Sequence, residues 1–171
     1  QLRLPLSLAT TRLLLASAGG RLFGLPIECV HTSRRVRETD LFSLEGHLAV
    51  LLDGQPVIAA RLADLLELPA AELATASSAA PDIQACIVIQ AGDGQVGRLG
   101  LLVDGLLAEE EVVPKPLGAP LKRVRNVSAL AMLGSGEICA VLNPADLLRS
   151  ALQSGAPLRH EEREARGKAV R

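Results

Sequence analysis

The chain has no tryptophan and no tyrosine, and its only aromatic residues are Phe23 and Phe42. Its core must therefore be aliphatic. Proteins that hold single-stranded nucleic acid stack bases on aromatic side chains, and this sequence has almost none to offer. Lysine and arginine number 18 against 19 acids, a formal net charge of −1, so no global field favours nucleic acid or an anionic membrane. Three cysteines, Cys29, Cys86 and Cys139, lie far apart inside apolar runs, with no C-x-x-C. That argues against a disulfide framework or a zinc site, and for reduced, buried thiols in a cytoplasmic protein. The longest apolar run is well short of a membrane span. No signal peptide precedes the first strand, and the chain, which starts at Gln1, reads as a piece of something larger.

What is present is abundant aliphatic sequence, 49% hydrophobic over 171 residues, enough for one ordinary domain or two small lobes. Its pattern is of strands joined by specified turns. Leu2, Leu4, Leu6 and Leu8 alternate with polar residues or proline, which predicts a strand confined by Pro5 to an edge or an end. Arg12 to Ala18 and Leu22 to Pro26 flank Gly19-Gly20, a strong hairpin signal. The zone from Val30 to Thr39 is polar and basic. Leu48 to Leu52 and Val57 to Ala60 flank the turn Asp53-Gly54-Gln55-Pro56, and Leu62 to Leu68 reads as a short helical turn. The Ala- and Ser-rich stretch 70–82 is the best linker between lobes. Cys86 to Gln90 and Val96 to Val103 flank Gly92-Asp93-Gly94, with Leu99, Leu101 and Val103 on one face. Ile138 to Leu142 is a strand and Ala145 to Leu152 a helix. Residues 153–171 are charged and too poor in apolar groups to fold alone.

No constellation points to catalysis. His160-Glu161-Glu162-Arg163-Glu164 begins like H-E-x-x-H but lacks the second histidine. His31 and His47 have no evident partner. Gly134-Ser135-Gly136 lacks the G-K-[ST] of a phosphate loop and reads as a hairpin turn. Ser128 has no nucleophile elbow around it. The acidic run Glu109 to Glu111 and the basic patch Lys122, Arg123 and Arg125 read as solvated surface, with partner contact as the sharper alternative. No catalytic, cofactor-binding or metal-binding residue is expected.

The stretch 109–148 carries a resemblance. An acidic run leads into Val112-Val113, then Lys115-Pro116-Leu117-Gly118, then Val124 and Val127-Ser128, then Ala131 to Ile138 around the glycine turn, then Leu142 and Leu147-Leu148. This order is similar to the second half of CheW-like domains, and most similar to the version at the C-terminal end of CheA-type chemotaxis histidine kinases. The opening hairpin GGRLFGLPIECV, the Leu62, Leu65, Leu66 pattern and the middle segment 87–113 resemble the family as well. Two departures stand out. The family has a valine- and isoleucine-rich strand where this chain has Ser33, Arg34 and Arg35. It commonly has Arg-Gly where this chain has Asp53-Gly54.

The resemblance implies an all-β fold of two small five-stranded SH3-like barrels packed together, with short helices. It divides the chain into residues 1–10, the final strand of a preceding kinase ATP-binding domain; 11–152, the CheW-like domain, its lobes parting near 70–83; and 153–171, a charged linker or tail. It implies a non-catalytic regulatory domain of a histidine protein kinase, coupling receptors to kinase activity in a phosphorelay. The expected partners are the cytoplasmic tip of a chemoreceptor, CheW and the other domains of the parent kinase, with no nucleic acid and no membrane insertion. A stand-alone CheW-like scaffold is the alternative, and a small β-barrel hydrolase a more distant one. An apolar groove between the barrels would receive a helical receptor tip, for which Ile27, Val30, Leu102 and Val103 are the nominated residues. Strand alternation puts Leu102 and Val103 on opposite faces, so at most one of them can line it.

Overall fold

At the first hairpin, Gly19 and Gly20 both take left-handed backbone, with φ of 57° and 75°. Two consecutive positive φ values make the tight turn whose twist matches that of paired strands. The turn joins β1 (Thr11–Ala18) to β2 (Arg21–Pro26). The computed structural model describes residues 9–69, 83–91, 97–118 and 124–154. The strand expected near Leu2 to Leu8, the linker 70–82, the Gly92 to Gly94 turn, Lys122, Arg123 and the tail beyond Ser154 lie outside the described residues.

After β2 a single 3-10 turn, Ile27–Cys29, leads into β3 (Val30–Arg37). A second one, Glu38–Asp40, leads into β4 (Leu41–Leu44). Then come β5 (His47–Leu52) and β6 (Gln55–Arg61), joined by Asp53 and Gly54 with φ of 49° and 81°. The short helix α1 (Leu62–Leu65) follows. Its end is a Schellman closure: Leu68 N–H reaches the Ala63 carbonyl, Glu67 N–H reaches the Asp64 carbonyl, and Glu67 takes φ 51°. The strands β7 (Ile83–Gln90), β8 (Arg98–Val103), β9 (Gly105–Val112), β10 (Lys115–Pro116), β11 (Val127–Met132) and β12 (Ile138–Leu142) precede the helix α2 (Pro144–Ser154). Asn143 caps α2 by accepting from the Ala145 and Asp146 N–H groups, and Pro144 occupies the first turn, where its missing N–H costs nothing.

The strands form two six-stranded sheets, ordered β10-β11-β12-β2-β1-β9 and β3-β7-β8-β6-β5-β4. The all-β expectation of two packed barrels holds, with six strands in each sheet rather than five because short segments such as β4 and the two-residue β10 also pair. The strands on either side of 70–82, β6 and β7, belong to the same sheet. The chain leaves the first lobe after β2, builds the whole second lobe from β3 to β8, and returns at Asp104. Two long-range pairings make this possible: β1 against β9, and the parallel contact of β12 with β2.

Burial follows the alternation of side chains along these strands. On β7, Cys86 and Val88 face the interior of the second barrel while Ile87 and Ile89 face the first lobe. On β8, Leu102 faces the barrel interior while Leu99, Leu101 and Val103 face the first lobe. Strands covered on both sides read as unbroken apolar runs, as 86–89 and 99–103 do. On β1, Leu13 and Leu15 fill the first barrel with Val112, Ala131 and Val141, while Ala16 and Ala18 turn to the second lobe. The result is three apolar layers, the middle one shared between the lobes and closed at one end by Leu62 and Leu65 of α1 and Leu147 and Ala151 of α2.

Candidate protein-docking site

At the opposite end the shared layer opens to the surface. Along the β3–β7 pair, Ser33 lies opposite Ile87, Arg35 opposite Ala85 and Arg37 opposite Ile83. Directly opposed residues point to the same side of a sheet, so the side facing the first lobe grades outward from buried Ile87 through half-buried Ala85 to Ile83, which is 45% exposed. Leu106, at the start of β9 and 37% exposed, pairs with Ala16 and faces the same seam from the first lobe. The seam holds a groove of about 540 Å³. Ile83, Ala85 and Leu106 give it apolar floor, and Ser33, Arg34 and Arg35 form one rim.

The groove's shape is fixed by Asp104, the crossover residue. Its carboxylate accepts from the Gly19 N–H at 2.7 Å, and its own N–H donates to the Ser17 carbonyl at 2.9 Å. These bonds pin the end of β8 to the first hairpin. Gly105 then allows close passage, since a Cβ there would lie 3.0 Å from Ser17 Oγ. On the other face of β3, where it lies opposite Cys86, Arg34 donates to Asp53 at 2.5 Å, with both side chains largely exposed. The two departures from the family pattern, a basic residue on this strand and an acid at the β5–β6 turn, thus meet as one ion pair.

None of the four nominated residues lines this groove. Ile27 sits in the 3-10 crossover, half-buried. Val30 packs against the shared layer opposite Ile89. Leu102 and Val103 are 3% and 2% exposed. They do lie on opposite faces, but β8 runs between β6 and β7 and is covered on both sides, so neither presents surface to a partner. Sequence reasoning missed Ile83 and Ala85 by starting the strand at Cys86, although Ile83, Ala85, Ile87 and Ile89 continue one alternating face.

Two other surfaces compete. A cleft of about 650 Å³ lies between α2 and the approach to β11, beside Pro116, Val124, Ser128 and Arg149. It is larger but more polar, and its charges are met internally: Arg149 pairs with Asp146 at 2.9 Å, and Arg125 lies 3.8 Å from Glu67. The second surface is apolar. Met132 and Ile138 are cross-strand neighbours at the tip of the first lobe, 65% and 67% exposed, with Leu130 beside them.

Reactive groups are scarce. Burial pushes the Cys29 thiol up to about 11, a backbone hydrogen bond opposing and Glu28 adding to the rise. Burial alone takes Cys86 to about 11. Burial also raises Cys139, with Glu110 contributing. Thiols held protonated are poor nucleophiles. Ser128 donates to the Val141 carbonyl at 3.2 Å, a structural bond between β11 and β12. Among the described residues no three or more His, Cys, Asp or Glu side chains are grouped to hold a metal, and no helix is long and apolar enough to cross a membrane.

The family model for the CheW-like domain matches residues 12–152. The chain belongs to the CheW-like domain family. A gliding motility regulatory protein of Myxococcus xanthus is 30% identical over 158 residues, covering 92% of this chain and 19% of that protein. The sensor histidine kinase CheAY of Helicobacter pylori is 26% identical over 143 residues, covering 84% of this chain and 17% of the kinase. The chemotaxis protein CheA of Treponema pallidum is 26% identical over 164 residues, 96% of this chain and 19% of that protein. The chain thus spans about a fifth of the length of these curated relatives. The scaffolding protein CheW from Thermoanaerobacter tengcongensis superposes with a TM-score of 0.58 at 15% identity, over 78% of this chain and 89% of that one. That likeness carries the fold, two SH3-like barrels, to this CheW-like domain.

Proposed function

We propose that this CheW-like domain is the regulatory domain of a CheA-type histidine kinase, and that it docks the helical cytoplasmic tip of a chemoreceptor in the groove between its lobes. One observation carries the docking half: the apolar layer shared by the lobes emerges at the surface at Ile83, Ala85 and Leu106. The floor there is made of side chains on β7, which pairs with β3 and β8, and on β9, which pairs with β1 in the other sheet. A floor of apolar side chains holds a partner through side-chain anchors, which is how a helix in a groove is recognised. The Met132–Ile138 tip offers a separate apolar surface for a CheW protein. Kinase chemistry and ATP binding belong to other domains of the parent chain in this reading, which is set in the cytoplasm.

The relatives named sensor histidine kinase CheAY and chemotaxis protein CheA, matched over about a fifth of their length, support a domain within a longer kinase. The structural likeness to a scaffolding CheW favours the alternative, a stand-alone scaffold. The mass of the native polypeptide, read by immunoblot with an antibody to this domain, separates the two. Docking is tested by calorimetric titration of a soluble receptor-tip hairpin into the domain and into Leu106→Glu. Saturable binding lost in the variant is the expected result. Equal binding by both would move the site elsewhere.

A further inference from the structure

The groove is not purely apolar, and its rim on β3 is basic. The rim on β3 carries Arg35 directly above the apolar floor, opposite Ala85. Among the described residues Arg35 has no ion-pair or hydrogen-bond partner for its side chain. Its neighbour Arg34 differs, since it lies on the other face of the strand and is held there by Asp53. The one carboxylate in the groove lining, Asp104, has an oxygen engaged by the Gly19 N–H. The groove therefore offers an apolar floor and, at its edge, a guanidinium with no side-chain partner among the described residues.

We infer that the groove selects a helix whose apolar ridge is flanked by carboxylates, with Arg35 as the residue that reads them. The inference rests on the docking proposal above and names the chemistry of what docks. Charge complementarity decides the occupant. A basic or neutral flank would leave Arg35 facing a like charge or nothing, whereas a carboxylate one turn from the apolar anchors meets a planar fork suited to it. Rim charges of this kind act on partner choice and association rate more than on total affinity. The effect is therefore modest in size and sensitive to salt. Asp53 pairs with Arg34 and leaves Arg35 as the rim arginine open to a partner's carboxylate.

The test uses the full 171-residue chain. The probes are a soluble hairpin of a chemoreceptor cytoplasmic tip and the same hairpin with its acids changed to their amides. Each is titrated calorimetrically, at low and high salt, into wild type, Arg35→Gln, Arg35→Glu and Ile83→Glu. Expected is weakening of about threefold for Arg35→Gln and about tenfold for Arg35→Glu with the native hairpin at low salt. The neutralised hairpin should bind more weakly and respond little to Arg35. If Ile83→Glu abolishes binding while both Arg35 variants and the neutralised hairpin match the parent, the groove is right and selection by charge is wrong. If the parent binds neither hairpin, the docking proposal falls and takes this inference with it.

Discussion

Ser150 donates a hydrogen bond to Asn126 Oδ1 at 2.8 Å, deep behind the helix α2. Asn126 Nδ2 in turn donates to the Leu65 carbonyl at 2.8 Å, and the Asn126 carbonyl accepts from the Asn143 N–H at 2.9 Å. One side chain, 1% exposed, therefore ties the last helix and the approach to β11 to the end of α1 in the other lobe. Its backbone is left-handed, with φ of 67°, a conformation asparagine tolerates better than most residues. The bond network closes the end of the shared layer opposite the groove.

Removing that side chain should be costly. Asn126→Ala leaves the Leu65 carbonyl and the Ser150 hydroxyl buried without partners, at about 1–3 kcal/mol for a stranded group, and adds a strained left-handed alanine. We expect a loss of about 3 kcal/mol in urea unfolding. Asn126→Gly, which accepts the backbone without strain, should lose less. A loss below about 1 kcal/mol in the alanine variant would contradict the assignment.

A second prediction separates buried from surface apolar residues. Leu102→Glu and Val103→Glu each force a carboxylate into a packed layer with no partner. Both should lower the melting temperature severely or prevent folding, a cost of more than about 4 kcal/mol. Leu106→Glu, at a residue 37% exposed, should melt close to the parent. Thermal melts of the three decide it, and a parent-like melt for Val103→Glu would mean the lobes are not packed as described.

Local signals in the sequence were read well where one backbone conformation is demanded. Gly19-Gly20 and Asp53-Gly54 needed positive φ at both positions, and both turns are where they were expected. The acidic run Glu109 to Glu111 reads as solvated surface, and Glu109 and Glu111 are exposed on β9, where Glu109 pairs with Arg12 at 2.7 Å, Glu111 accepts from Thr10 and half-buried Glu110 accepts from the Gly134 N–H. Polar residues lie on an edge strand here because each finds a partner across the sheet. The pairing of distant strands is illegible in the local sequence. Whether β1 pairs with β9, 88 to 101 residues on, depends on global packing, and no local period encodes it. The groove inherited that difficulty: it is assembled from β3, β7 and β9, none of which is adjacent to another in sequence.

The thiols make stability depend on alkaline pH. Cys29 and Cys86 are held protonated to about 11 in the folded chain, against a usual value of 9.0. Their contribution is therefore whole below the unfolded value and is lost as pH rises through the folded one. Each is worth at most about 3 kcal/mol. Urea midpoints should fall between about pH 9 and pH 11, and the chain has no tyrosine to mask the trend. The fall should be shallower in Cys86→Ala. Equal slopes for parent and variant would show that this thiol is not linked to folding.

The central claim is that the partner lies in the seam between the lobes. Amide chemical shifts of the isotopically labelled domain, followed during titration with an unlabelled receptor-tip hairpin, test it most directly. The account predicts that the saturating shifts cluster at Ser33 to Arg37, Ile83 to Ala85 and Asp104 to Leu106, leaving the α2 cleft around Arg149 and the Met132–Ile138 tip unmoved. Shifts confined to that cleft or that tip, with the seam silent, would contradict it.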